Sequence, residues 1–569
     1  MSEYFVNGKK HRLKDDDYIT EGGEGKIYKV GDLVFKIYED PSKMIPSAKI
    51  NELKVLDNEN IVRPMDLIYD HKQKIVGFTM KFISSTLPLV KLFSNDFWNN
   101  NNVTPETIKS LVEEMIKITE FIHSKNILIV DYNEMNELVD INDYTKPYYI
   151  DVNSFQTQNF PAPVIMPNVR DYHAKSFNKM TDWFSFAILS CQLFIGIHPF
   201  KGSHPSYKKG DIISRMKSNV SIFGKDIKLP PTVRDFSNIP QNYMDWFVKE
   251  FEEGKRIPPP IIGGLLNVIQ VKVKVKQSTN NFEITFLQEY SEDVVKHNEY
   301  LDMRCVVTRK HIYISKTDYK ISTPDIDILY EPKSTKHIFV KIDHSKETLM
   351  YMDTSGNVLD ALIQCTEKMV INNTLYLRNR GNILEMKVDY INGFKFFVKN
   401  TWTTSPNSTQ LFEGISVRSI VGKFYLNILE PTPGNLSNCF VIAIPELDKV
   451  RVLDAKYQNH VCILTGIKNN IYIKSILRFN KDFSKYESRT IETNSDLDIV
   501  NFVVLNNGIV VSIDAEGIVE VYSNKLGDPK INSIKDPDID SSMKLTKFNN
   551  SNDVMFFKGN KLYSLKMKK

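Results

Sequence analysis

Cysteine is scarce in this chain. Five occur in 569 residues, at Cys191, Cys305, Cys365, Cys439 and Cys462, far apart and with no CxxC pair. That spacing argues against a disulfide framework or a cysteine zinc site and favours a reducing compartment. Cys191 lies in the apolar run FAILSCQLFIGI and reads as a small core residue. Long hydrophobic runs are missing too: none approaches the ~18 apolar residues that span a bilayer. The opening MSEYFVNGKKHRLKDDDY has no apolar h-region. Charge of one sign is also lacking. The net charge is +4, and lysine is spread along the chain without a basic tail. Neither nucleic acid nor a membrane is therefore expected as partner. A cytoplasmic protein is the expectation.

What remains is ordinary globular composition, 42% hydrophobic and 25% charged. The length exceeds one hydrophobic core and predicts about two to four domains. The chain changes character near residue 260. Before it, strands and helices mix. IKSLVEEMIKITEFIH (108–123) sets Leu111, Met115, Ile118 and Ile122 on one helical face. TDWFSFAILSCQLFIGI (181–197) is apolar nearly all round and reads as a buried helix. GKRIPPPIIGG (254–264) breaks the pattern as a linker or domain edge.

Beyond residue 270 almost everything reads as short strands and turns. A crude unit recurs in VINNTLYLRNRGNI, ILTGIKNNIYIKSI, VVLNNGIVVSIDAEGIVEVY and MFFKGNKLYSLK. Each is an apolar strand, a turn of Asn, Gly or Lys, and a second strand. Asn and Gly supply the positive φ that hairpin turns need. Such spacing predicts a β-propeller of about six or seven blades, at ~40–45 residues each. The rival is two successive β-sandwiches. No catalytic constellation stands out in this half, so it is expected to dock a protein partner or substrate.

The chemistry concentrates in the first half. ITEGGEGKIYKVGDLVFKIYED (19–40) places a Gly-rich stretch before a strand, a Gly31-Asp32 turn and a second strand carrying Lys36. Glycines let backbone N–H groups approach a phosphate closely, and Lys36 would be aimed at it. HSKNILIVDYNEMNELVD (123–140) holds Asp131 eight residues after His123 and Asn136 five residues further on. KPYYIDVNSFQ (146–156) ends an apolar strand at Asp151, fifteen residues after Asn136. Taken singly, each has a bland reading: a turn, a cap, or for Asp182 a helix N-cap.

Together the elements resemble the protein kinases, in kinase order and near-kinase spacing over about residues 15–260. The style is that of the divergent kinase-like proteins of bacteria and their phages. GGEG stands for the Gly-rich loop, DYNEMN for the catalytic loop and IDVN for DFG. The resemblance implies an α+β bilobal kinase-like domain over 1–262, with an N-lobe of about 1–88 and a C-lobe of about 89–262. The all-β domain then covers 263–569.

The resemblance also implies roles. ATP would be bound by Gly22, Gly23, Gly25, Ile27, Lys36 and Glu52. Asp131 would be the base and Lys36 the phosphate-facing cation, with Asn136 and Asp151 as Mg²⁺ ligands. Asp182 would hold the catalytic-loop backbone. The αC glutamate that should pair with Lys36 falls on Lys49; Glu52, three residues later, is the candidate in its place. Several parts depart from the family. Asn133 replaces the catalytic-loop lysine, Ile129-Val130 the His-Arg, and Val152-Asn153 the Phe-Gly of DFG. No APE triplet stands between Asp151 and Asp182. Asn153 is expected to carry the backbone turn, since Asn tolerates αL. Three functions stay open: an active Ser/Thr-type protein kinase, a nucleotide-binding pseudokinase or scaffold, and a structural component of a phage particle or another large assembly, virion-associated if phage-encoded.

Overall fold

The computed structural model describes residues 2–568 except 22–23, 163–164, 209, 261–280, 301–302, 316, 433–435, 470, 494–499, 524–530 and 548–552. Gly22, Gly23 and the 262/263 boundary thus lie outside the described residues. The chain divides into two compact units. One comprises Met1–Leu13, Glu24–Trp98 and Val103–Val275; the other comprises Lys14–Gly23, Asn99–Asn102 and Lys276–Lys569.

The strands up to residue 81 are β1 (Ser2–Val6), β2 (Lys9–Leu13), β3 (Tyr18–Glu21), β4 (Gly25–Val30), β5 (Leu33–Tyr38), β6 (Leu67–Tyr69) and β7 (Ile75–Lys81). Within the first unit the side-by-side order is β2-β1-β6-β7-β5-β4. Alternation along β5 decides what faces what. Phe35 and Ile37 pack with Val6, Leu13, Ile68 and Val76 on one side. Val34 and Tyr38 pack with Phe78, Met80 and Ile50 on the other. Ile50 belongs to helix α1 (Ser47–Leu53). Lys36 shares its face with Val34 and Tyr38, so it is delivered to the α1 side.

The rest of this unit is mostly helical, after β8 (Thr86–Pro88) and α2 (Asn95–Asn101). Helix α3 (Pro105–Ser124) starts at Thr104, whose hydroxyl accepts the Thr107 N–H, with proline in its first turn. The predicted face of Leu111, Met115, Ile118 and Ile122 is buried. Helix α4 (Lys179–Ile195) is buried from Thr181 onward and is capped by Asn178. Asp182 is therefore not its N-cap. Between them β9 (Glu137–Asp140) and β10 (Pro147–Tyr149) pair antiparallel. Helices α5 (Ile212–Lys217) and α6 (Gln241–Phe251) complete the unit. No described helix is long and apolar enough to cross a membrane.

The second unit contains seven four-stranded antiparallel sheets among the described residues. Six are built from four consecutive strands each, in chain order. The seventh joins Lys544–Lys547, Val554–Lys558 and Lys561–Met567 to Phe282–Glu289, which pairs with Lys561–Met567. The first strands are linked in succession. Lys296 pairs with Asp327, and Asp327 with Lys368 at 2.7 Å. The Leu411 N–H donates to Glu367 and the Tyr457 N–H to the Glu413 carbonyl. The Val504 N–H donates to Gln458 and the Leu545 N–H to Asn501. His297 and Thr546 hydrogen-bond at 2.8 Å, so the succession returns to the sheet where it began. Asp327 is fully desolvated, which opposes ionisation, yet Lys296 and Lys368 hold it below the usual carboxylate range.

Candidate functional site

The β9–β10 ladder brings the two acidic motifs together. The loop 129–136 enters β9, and Asp151 leaves β10. The Ile150 N–H donates to the Asn136 carbonyl at 2.9 Å, and Leu128 and Gln156 exchange both backbone hydrogen bonds. The loop itself is fixed from below by Asp182, which is fully buried. Its carboxylate accepts the N–H groups of Ile129 (2.8 Å) and Val130 (2.9 Å) and contacts His123 Nε2 at 2.9 Å. Val130 has φ +65°, a strained conformation for a β-branched residue. Asp182 holds that strain in place and so fixes the backbone leading into the next residue, Asp131.

Asp131 Oδ1 accepts the Met166 N–H at 2.7 Å. Burial raises its pKa, against the lowering by Met166 and by the Asn133 and Asn136 amides. Asn136 Nδ2 donates to the Asp131 carbonyl at 3.0 Å, and among the described residues no donor reaches the Asn136 amide oxygen. Asp151 carries φ +55°. The left-handed residue at this turn is therefore Asp151, not Asn153 as the sequence led us to expect. Its side chain is 41% exposed and its Oδ1 lies 3.3 Å from Lys36 Nζ. Asn153 is buried between them; its amide nitrogen sits 3.0 Å from Asp151 Oδ1 and its oxygen 3.2 Å from Lys36 Nζ when oriented to satisfy both.

Lys36, 7% exposed, has a partner that sequence reasoning missed. Glu24 Oε2 lies 2.9 Å from its Nζ. Burial lowers the Lys36 pKa, but Asp151, Tyr38 and Glu24 outweigh it and keep the ammonium charged. Glu52 does not pair with Lys36. It accepts from Asn159 Nδ2 at 2.7 Å. The buried face of α1 is Lys49, Ile50 and Leu53, and Glu52 lies off it. Ile27 stands directly across the β4–β5 ladder from Lys36 and packs with Val34 and Phe78. Gly25 has a packing reason: a Cβ there would meet the Ile37 carbonyl oxygen at 2.2 Å.

The donor set fits Mg²⁺, a hard cation commonly held by one or two carboxylates together with substrate phosphates. Asp151 offers a half-exposed carboxylate and Asn136 an uncommitted amide oxygen. No cluster of three or more His, Cys, Asp or Glu with metal-holding geometry occurs among the described residues. A second missed contact anchors the segment after Asp151. Arg256 donates twice to Asp171, at 2.7 and 2.8 Å, from beyond α6.

Beneath the site, Glu137 is 1% exposed and neither carboxylate oxygen has a hydrogen-bond partner among the described residues. Burial first, then Glu134 and Asp131, push its pKa well above the usual value of 4.5. A raised carboxyl pKa in the folded state means stability present at low pH and lost as pH climbs from about 4.5 toward the raised value. Glu137→Gln should remove that loss and stabilise the protein by about 1–3 kcal/mol at pH near 8. Denaturant titrations at pH near 5 and 8 check this; equal pH dependence in both proteins would count against it.

No family model matches the chain. Over 132 residues it is 28% identical to the cAMP-dependent protein kinase type 3 of Saccharomyces cerevisiae, covering 22% of this chain and 29% of that protein. The chain thus spans under a third of that relative's length. Among solved structures, the autoinhibited serine kinase domain of the giant muscle protein titin matches 45% of this chain and 77% of its own. The identity is 16% and the TM-score 0.34. The sequence similarity to a protein kinase supports a kinase-like fold.

Proposed function

We propose that residues 1–262 form a kinase-like domain, N-lobe about 1–88 and C-lobe about 89–262, that binds ATP with Mg²⁺ and transfers phosphate to a Ser or Thr hydroxyl. The observation that carries this reading is the convergence of Lys36, Asp151 and the Asp131–Asn136 loop, three separate segments, on one site. Bound ATP would supply the transferable phosphoryl group, and Mg²⁺ would neutralise its charge. Asp151 and Asn136 would hold the metal. Lys36 would bind phosphate oxygens as a cation. Asp131 would orient a substrate hydroxyl and accept its proton, a role its raised pKa favours. The Ile27 face, apolar and opposite Lys36, would cover the base.

The second domain, 263–569, is proposed to be a seven-bladed β-propeller that docks a partner or substrate. The returning succession of first-strand contacts supports this arrangement over two sandwiches. A second reading, a pseudokinase or scaffold that binds nucleotide without transfer, is favoured by one contact, the Met166 N–H that occupies Asp131. Sedimentation with purified particles tests the further possibility of a structural role in a large assembly.

Calorimetric titration with ATP tests the binding half. ATP should bind in the presence of Mg²⁺, and Asp151→Ala should weaken binding about tenfold or more by removing the metal carboxylate. Wild-type protein that binds no ATP with Mg²⁺ present would overturn both readings.

A further inference from the structure

The cleft holds an unusual set of charges. Lys36 is held by Glu24 at 2.9 Å, although Glu24 is on the loop entering β4 and its side chain is 44% exposed. Lys49, at the position where the resemblance implies a glutamate, is 2% exposed. Among the described residues its ammonium makes no hydrogen bond or ion pair. The carboxylates acting on it are Asp151, Glu24 and Glu52, and burial lowers its pKa against all three. Asp151 is engaged by Lys36 and Glu52 by Asn159. Glu24 is the loop-borne member of the three.

A mostly buried lysine whose ammonium lacks a carboxylate partner is unfavourable, and a carboxylate beside arriving phosphate oxygens is repelled. The two costs are relieved by one movement. We propose that Glu24 and Lys49 are positioning residues that switch partners: without nucleotide Glu24 holds Lys36, and when phosphate takes Lys36 the Glu24 carboxylate passes to Lys49. This inference rests on the nucleotide reading above. It gives the lysine at the αC position a task, to accept the displaced carboxylate.

The test is calorimetric titration of full-length protein with Mg²⁺-ATP and, separately, with adenosine, which lacks phosphates. Glu24→Gln should tighten ATP about three- to tenfold, because no carboxylate competes for Lys36. Lys49→Met should weaken ATP by a similar factor, since displaced Glu24 finds no partner. Met fills the buried site without a charge. In the Glu24→Gln background Lys49→Met should have no further effect, the signature of one coupled pair. Adenosine affinity should stay unchanged throughout. Weaker ATP binding by Glu24→Gln, equal effects on adenosine, or additive effects of the two substitutions would overturn the switch. Wild type that binds ATP in an Asp151-dependent way while Glu24→Gln changes nothing sinks the switch alone. Wild type that binds no nucleotide sinks the nucleotide reading and the switch with it.

Discussion

Replacing Asp182 by alanine should destabilise the first unit by about 3–5 kcal/mol, near the top of the range for one substitution. Its carboxylate is fully buried and accepts the N–H groups of Ile129 and Val130 while contacting His123. Truncation leaves two buried backbone donors and one imidazole nitrogen without an acceptor. It also frees Val130 from φ +65°, so the chain would relax there and Asp131 would swing out of the cleft. Asp182→Asn, which keeps the shape, should cost less, because one amide oxygen can still accept. Chemical denaturation followed by Trp183 fluorescence should report both, since Trp183 lies edge-on to His123 with centroids 5.2 Å apart. A loss below about 1 kcal/mol for the alanine variant, within the range of surface substitutions, would contradict this role.

Asp131→Asn should separate binding from chemistry. The amide keeps an oxygen to accept the Met166 N–H, so the loop should keep its shape. It cannot accept a proton. Nucleotide affinity should therefore stay within about threefold of wild type, while phosphoryl transfer falls by about 10²–10⁴-fold. Lys36→Met should behave oppositely, with weakened ATP binding, because its ammonium is the cation nearest Asp151. Parallel losses of binding and transfer in Asp131→Asn would show that Asp131 acts through structure and not as a base.

Much of this site is legible in the sequence because local spacing encodes it. Asp131 and Asn136 share one loop, and Asp151 follows the strand that pairs beside it. Helix α3 announces itself by its apolar periodicity and α4 by its nearly continuous apolar run. Where the reading failed, the signal was not local. Glu52 and Lys49 are less than one helical turn apart, and counting alone cannot say which faces inward; α1 starts at Ser47 and buries Lys49, Ile50 and Leu53. Glu24 is a loop carboxylate with no periodic signature, so its hold on Lys36 was invisible. Asp171 and Arg256 stand 85 residues apart and carry no shared motif. In the second half the hairpin turns were readable, but not the pairing of Phe282–Glu289 with Lys561–Met567, which only the folded chain brings together.

The most direct measurement of the central claim is transfer of label from γ-labelled ATP in the presence of Mg²⁺. Wild-type protein should place label on itself or on a generic protein substrate, and the label should be acid-stable, as Ser and Thr phosphoesters are. Asp151→Ala should place none. A wild type that binds ATP yet transfers no label, or an Asp151→Ala variant that labels as well as wild type, would contradict the account.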